Sequence, residues 1–226
     1  NQVICFDAGK ADCNYLEFAE GKNMLIDTGS QEQYPNIMQN SVIPYLKKRH
    51  IHNLDKVIIT HAHEDHYGGL LLLANNINIK EIVIHHTALK DEIFAKIIQD
   101  IETEINVTVL TDTISFWEGK IRFLYPYANY ESNNMNNNSL VIQVCYDDYK
   151  LLFTGDIEGE VEERIARHYG DKLKSDFLKI PHHGSITSSS TMFLEMVNPK
   201  SCFIPAGTSD RNKFPNPLVI KRLKNM

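Results

Sequence analysis

Short apolar runs, each closed by polar or turn-forming residues, recur along the whole chain. Val3–Asp7, Asn14–Phe18 and Met24–Asp27 predict three strands, with Glu20-Gly21-Lys22-Asn23 as the hairpin turn between the second and third. A helix-like segment then ends in Val42–Arg49. Val57–Thr60 is a β-branched run of the buried-strand kind, and it delivers the chain directly into His61. A helix is expected over Gly68–Ala74, then strand Glu81–His85, helix Leu89–Glu104 and strand Val107–Leu110.

The second half has the same style. Lys120–Tyr125 predicts a strand and Ala128–Asn138 a polar, Asn-rich loop. Leu140–Cys145 and Leu151–Thr154 predict a hairpin across Asp147-Asp148. Gly159–Tyr169 reads as a charged helix, Phe177–Ile180 as a strand, Met192–Val197 as a short helix and Cys202–Pro205 as a strand. Pro217–Met226 reads as a helix still running at the last residue, which leaves room for further chain. No Gly-, Ser- or Pro-rich linker divides the sequence and no solenoid-type repeat is present. The expectation is one domain over 1–226, with two β-sheets packed together and helices outside.

Composition narrows the class. Of 226 residues, 42% are hydrophobic and 23% charged, which suits a globular fold. A net charge of −6 gives no electrostatic basis for tight binding to nucleic acid or an anionic membrane. Bound divalent cations would reverse the local field of a carboxylate-lined site, so a nuclease is not excluded. Cys5, Cys13, Cys145 and Cys202 form no C-x-x-C pair, and three of them sit in apolar runs, as buried free thiols do. No run approaches the roughly 20 apolar residues that span a bilayer, and no signal peptide is visible. These features predict a cytoplasmic chain. It would be extracytoplasmic if residues ahead of Asn1 carried a signal or the chain belonged to a larger membrane protein.

The strongest chemical signal is Thr60-His61-Ala62-His63-Glu64-Asp65-His66. Alternate residues of an extended segment point the same way, so His61 and His63 can face one metal ion. The turn that follows can carry Asp65 and His66 toward a second. Imidazole nitrogen and carboxylate oxygen are the ligands zinc-type ions favour. The competing account is a solvated polar loop. Asp156 ends an apolar strand, where an ionised carboxylate needs compensation; capping the helix at Gly159 is its alternative role. His182 and His183 follow a strand, and adjacent residues at a strand end point apart, so one ligand is expected from the pair. His182 is taken as that ligand, and His183 as a proton donor to the leaving group or else a surface residue. Asp27 ends another apolar strand and is read as an acceptor that holds an imidazole N–H, against a simple turn residue. Asp7 is a weaker case of the same kind. His50, His52, His85, His86 and His168 are read as satisfied or solvent-facing histidines. Tyr125, Tyr127 and Tyr130 beside the Asn-rich loop suit packing as well as stacking on a base or sugar.

His61-Ala62-His63-Glu64-Asp65-His66 resembles the H-x-H-x-D-H signature of the metallo-β-lactamase superfamily, and Thr154-Gly155-Asp156 resembles its later T-G-D motif. A longer ordered series covers essentially the whole chain: Asp7-Ala8-Gly9 with Asp12, Ile26-Asp27, Asn137-Asn138-Ser139-Leu140-Val141, Leu152–Asp156 and Lys179–Ser185. It is similar to the ComEC-type metallo-β-lactamase-like domain of competence proteins. The resemblance implies an α/β (α+β) fold, a four-layer αββα sandwich with the site at one edge of the two sheets. It implies metal ligands His61, His63, Asp65, His66, Asp156 and His182, with Asp156 bridging both ions. Asp65 also enters the chemistry, and Asp27 and Asn138 support the ligands from behind.

The sequence departs from the pattern in three places. Asn136-Asn137-Asn138-Ser139 stands where many members carry a third histidine for the first metal, and amide oxygen is a poorer ligand. Phe214-Pro215-Asn216-Pro217 stands where competence-type domains carry a His-Pro pair. Lys10-Ala11-Asp12 replaces Gln-Gly-Asp.

The expected activity is hydrolysis by a hydroxide held between two divalent ions, zinc ahead of manganese. Phosphodiesters are the expected substrates, because paired metals stabilise charge developing on phosphate oxygens. Lys10 and the Ser185–Ser190 segment, through Ser185, Ser188, Ser189 and Ser190, are the expected phosphate contacts, with a solvated turn as the alternative for that serine cluster. The partner is a small ester such as a phosphorylcholine ester, or a single nucleic-acid strand. The alternatives are ester, thioester or lactam hydrolysis on the same site, or a weakly active accessory module of a competence-type protein. The sequence leaves oligomeric state open.

Overall fold

The structure is a computed structural model and describes residues 1–32, 36–127, 130–207 and 214–226. The chain forms two compact units, Asn1–Leu110 and Thr111–Met226.

In the first unit β1 (Gln2–Cys5), β2 (Asn14–Glu17) and β3 (Asn23–Ile26) form an antiparallel meander. The chain then turns through a π-helical stretch, Met38–Val42, into α1 (Ile43–Lys48). Two-residue strands β4 (Asn53–Leu54) and β6 (Asn78–Ile79) pair with each other. β5 (Lys56–Ile58), β7 (Glu81–His85) and β8 (Asn106–Leu110) extend the meander as parallel strands, giving the order β1-β2-β3-β5-β7-β8. The parallel strands β5 and β7 bury mainly apolar residues: Val57, Ile58, Ile82, Val83 and Ile84 are wholly inaccessible, as expected for strands covered on both faces. Lys56, buried on β5, pairs with Glu81 on β7, and Glu81 also accepts from Thr108 on β8 at 2.6 Å. Between the parallel strands lie α2 (Glu64–Tyr67), α3 (Leu70–Ala74) and α4 (Glu92–Ile101). Asp91 caps α4 by accepting the Phe94 N–H at 2.8 Å, and Phe94, Ile98 and Ile101 form its buried stripe.

The second unit repeats the plan. β9 (Ile114–Phe116), β10 (Ile121–Tyr125), β11 (Val141–Tyr146) and β12 (Tyr149–Phe153) are antiparallel, and β13 (Phe177–Lys179) and β14 (Ser201–Phe203) continue in parallel. α5 (Gly159–Tyr169), α6 (Thr191–Val197) and α7 (Pro217–Lys224) complete it. Val161 and Ile165 of α5, Phe193 and Leu194 of α6 and Val219 of α7 share one core with Leu152 and Leu178 of the sheet.

The strands and the α5 helix fall close to where the hydrophobic pattern puts them. The pattern does not reveal β4, β6 and β9, because runs of two or three residues carry no periodicity. The helix expected over Gly68–Ala74 starts earlier, at Glu64 inside the histidine motif, and is broken at Gly68-Gly69. Gly69 is required there: a Cβ on it would lie 2.3 Å from the Thr28 carbonyl oxygen. Of the Asn-rich loop, Ala128 and Asn129 lie outside the described residues.

Candidate functional site

In the first unit the chemistry gathers where β3 and β5 end. His61 is separated from the end of β5 by two residues, Ile59 and Thr60, and His63 is the extended residue before α2, so Asp65 and His66 sit in the first turn of a helix. The His61 and His63 rings lie 4.6 Å apart and those of His61 and His66 4.1 Å apart. His61 Nε2 is 3.0 Å from His63 Nδ1. Two ring nitrogens at that distance share a proton or face a common cation.

Asp27 organises this cluster. It follows β3 in the left-handed conformation, φ 59°, which aspartate tolerates better than most residues. One carboxylate oxygen accepts the Thr60 N–H at 2.8 Å. The other accepts the Thr60 hydroxyl at 2.9 Å and lies 2.8 Å from His66 Nδ1. The carboxylate therefore accepts a hydrogen bond from Nδ1–H, which makes Nε2 the His66 nitrogen suited to a metal. Asp12 is equally buried: its carboxylate is 3.8 Å from His66 Nδ1, its N–H donates to the Asp65 carbonyl, and its own carbonyl accepts the Gly29 N–H. Asp12, Asp27 and His66 bring donor atoms within 4.8 Å of one another.

Glu64 is turned away from this chemistry, accepting the Ser30 hydroxyl and the Gln31 N–H, each at 2.6 Å. Lys10, expected to meet phosphate, lies 3.5 Å from the Asp65 carboxylate.

In the second unit Asp156 follows β12 and a short Thr154-Gly155 turn. Its N–H donates to the Ser139 hydroxyl at 3.1 Å. The compensation its burial demands comes from Lys179, a wholly buried lysine on the parallel neighbour β13. The Lys179 ammonium donates to the Gly155 carbonyl at 2.8 Å and stands 3.4 Å from Asp156 Oδ1. A charge inside the apolar run Phe177-Leu178-Lys179-Ile180 was the sequence signal for it; the sequence places Lys179 in the family series and gives it no role at the site.

After β13 the chain does not continue as a strand. His182 and His183 both adopt positive φ, 48° and 54°, so the alternation of strand side chains does not apply to them. His183 is buried, its Nδ1 is 3.1 Å from the Pro205 carbonyl oxygen, and its Nε2 is 3.1 Å from Asp156 Oδ2. A carbonyl accepts only from N–H, so Nδ1 carries a proton, and Nε2 is the nitrogen turned toward Asp156. His182 is placed otherwise: Nδ1 lies 3.3 Å from Glu158 and 3.4 Å from the Thr187 hydroxyl, and Nε2 lies 3.5 Å from the Asn136 amide. Burial pushes the His182 pKa down, partly offset by the charge of Asp156. Of the two histidines, the one set against Asp156 is His183.

The Asn-rich loop is also sorted. Asn138 accepts the Ser132 N–H and donates to the Ser132 carbonyl, both at 2.8 Å, and so clamps the loop to itself. Asn137 accepts the Glu158 N–H at 2.8 Å. Asn136 is the asparagine beside a site histidine, and its Oδ1 is buried without a hydrogen bond. Ser185 is buried, with its hydroxyl 2.9 Å from that of Thr187. Phe214 stacks near both His182 and His183, at 5.8 and 6.2 Å.

These donor sets fit divalent metal ions. Two imidazoles, His66 and His183, are each fixed through Nδ1 by an oxygen acceptor, which presents Nε2 for coordination.

Comparison with known proteins agrees with the motif. The profile of the Metallo-beta-lactamase superfamily matches residues 7–207. The chain belongs to that superfamily. With it comes the α/β metallo-β-lactamase-like fold class read from the sequence. Among curated relatives, ComE operon protein 3 of Bacillus subtilis (strain 168) is 28% identical over 99% of this chain and 30% of its own length. Uncharacterized protein YcaI of Escherichia coli (strain K12) is 30% identical over 98% and 27%. Competence protein ComA of Neisseria gonorrhoeae is 29% identical over 98% and 29%. The resemblance to competence proteins therefore holds, and the chain spans under a third of the length of these relatives. Among solved structures, a new diphosphatase from the PhnP family aligns with TM-score 0.51 and 14% identity, covering 91% of this chain and 76% of the other. CmlA, a diiron beta-hydroxylase from Streptomyces venezuelae, aligns with TM-score 0.58 and 14% identity, covering 99% and 50%. Both likenesses speak to fold alone. No helix among the described residues is long and apolar enough to cross a membrane.

Proposed function

We propose that this chain is a metal-dependent hydrolase of phosphodiester bonds, acting as a single domain. The observation that carries the reading is the matched preparation of two imidazoles. His66 is held by Asp27 at 2.8 Å and His183 by the Pro205 carbonyl at 3.1 Å, each keeping Nε2 for a metal. Family membership is the ground for reading the two clusters as one ligand series: His61, His63, Asp65, His66, Asp156 and His183. His183 replaces His182 in the expected series. His182, with Glu158 on Nδ1, takes the role of proton donor to the leaving group. Asn136 replaces Asn138 as the supporting amide.

Two divalent ions, zinc ahead of manganese, would supply Lewis acidity and an activated water at neutral pH. The chain's own contribution is to hold those ligands in one tautomer and to keep Asp156 ionised beside Lys179. Two likenesses support the phosphate reading: a fold neighbour described as a diphosphatase, and relatives named for competence and recombination. The net charge of −6 favours a small ester or a single strand over a duplex.

Turnover of chromogenic phosphodiester, phosphomonoester and carboxylic ester substrates with Zn²⁺ or Mn²⁺ tests this. Fastest turnover is expected on the phosphodiester; turnover confined to carboxylic esters would overturn the substrate class.

A further inference from the structure

We propose that Glu162 is a positioning residue for the His182-His183 turn, acting through the Ser185–Ser190 loop. This rests on the reading of His183 as a metal ligand. Glu162 lies on α5, six residues after Asp156, and its side chain is wholly buried. On a helix whose polar residues otherwise face solvent, a buried carboxylate costs free energy unless it makes specific bonds. It makes two: it accepts the backbone N–H of Ser189, and that of Ser190 at 2.8 Å. Ser189 has φ 57°, so this loop holds a conformation that β-carbon sterics disfavour.

Four more hydrogen bonds fasten the same loop. Arg222 of α7 donates to the Ser188 and Ser189 carbonyls at 3.2 and 3.0 Å. The Ser188 hydroxyl donates to the Ile157 carbonyl at 2.9 Å. The Gly159 N–H donates to the Thr187 carbonyl at 2.9 Å. The loop begins where the histidine turn ends: the Ser185 N–H donates to the His182 carbonyl at 2.8 Å. His182 and His183 themselves sit at positive φ, 48° and 54°, a backbone state that the adjoining loop must hold. Held at both ends of one short segment, α5 supplies Asp156 just before its start and, through Glu162, the register of the turn that carries His183. The serines expected to contact phosphate thus serve as the cable between helix and turn.

The test compares Glu162→Gln, Arg222→Gln, His183→Ala and Val144→Ala. Val144 is a buried β11 residue whose truncation lowers stability by making a cavity. Each protein is titrated with Co²⁺ and Zn²⁺, the Co²⁺ absorption spectrum is recorded, and thermal stability is measured without metal. E162Q places an amide NH₂ against one of two N–H donors. It is expected to lower metal affinity about tenfold or more and to shift the Co²⁺ spectrum. R222Q should do the same more weakly, which covers the case in which E162Q fails to fold. V144A should lose comparable stability with wild-type affinity and spectrum. Wild-type metal binding in E162Q and R222Q, while H183A loses metal, would overturn the role of Glu162 alone. So would equal loss of affinity in V144A at matched stability. Wild-type binding in H183A as well would overturn the ligand assignment and this proposal together.

Discussion

His85 offers a test of the first unit that needs no metal. It ends β7, is almost fully buried, and its Nδ1 lies 2.6 Å from the Thr87 hydroxyl; its Nε2 is buried without a hydrogen bond. An imidazolium there would carry two N–H donors and satisfy one. Burial, aided by neighbouring His86, lowers the pKa from 6.5 to about 4. The sign follows from proton counting. Between about pH 4 and 6.5 the unfolded chain binds a proton at His85 that the folded chain does not, so stability rises with pH there. The contribution is complete above pH 6.5 and lost as pH falls toward 4. At about 1.36 kcal/mol per pH unit, the interval between 6.5 and about 4 is worth about 3 kcal/mol.

His85→Gln removes the titration while keeping a polar side chain. With chelator present throughout, urea unfolding of wild type and variant at successive pH values isolates the term, since every other titrating group cancels in the difference. At pH 7 the variant should be less stable, by about 1–2 kcal/mol for the lost hydroxyl contact and ring packing. Toward pH 4 the gap should close or invert. A difference constant across this window, or an imidazole NMR titration of His85 near 6.5, would refute the reasoning.

Three further outcomes follow from the site. Asp27→Asn keeps the shape but weakens the acceptor for His66 Nδ1, and should lower metal affinity about 10- to 100-fold; unchanged affinity by titration calorimetry would remove Asp27 from its supporting role. His183→Ala should lose metal and recover part of its turnover at high metal concentration. His182→Ala should keep metal and lose about 10²–10⁴-fold in rate on substrates with poor leaving groups, with little loss on a nitrophenyl phosphodiester; swapped phenotypes would return the ligand role to His182. Lys179→Met should leave the Asp156 carboxylate buried beside no cation and destabilise the metal-free chain by about 3–5 kcal/mol, with added Zn²⁺ restoring most of the loss in thermal unfolding; a metal-free chain of unchanged stability would contradict the compensation argued for Asp156.

Much of this was legible in the residues. The parallel strands announce themselves as β-branched runs, and the first histidine of the motif follows one of them with two residues between. Asp27 was readable because a carboxylate at the end of an apolar strand needs a donor. Which of His182 and His183 lies against Asp156 was not, because that depends on two left-handed residues that no local pattern marks. Strand alternation was the wrong rule for a chain that leaves the strand at Lys179. Asn136, Asn137 and Asn138 are chemically identical, and only their hydrogen bonds separate loop clamp from site neighbour. Lys179 and Glu162 did leave a signal, each being a charge on an otherwise apolar face. The sequence does not say what they face.

Metal analysis tests the central claim most directly. After gentle purification or incubation with Zn²⁺ or Mn²⁺, the wild-type chain should hold about two ions, with affinity falling at acid pH as the histidine ligands protonate. Asp156→Ala should reduce occupancy of both ions and abolish hydrolysis. A wild-type chain that stays metal-free, or an Asp156→Ala variant that keeps full stoichiometry and loses only fold stability, would contradict the account.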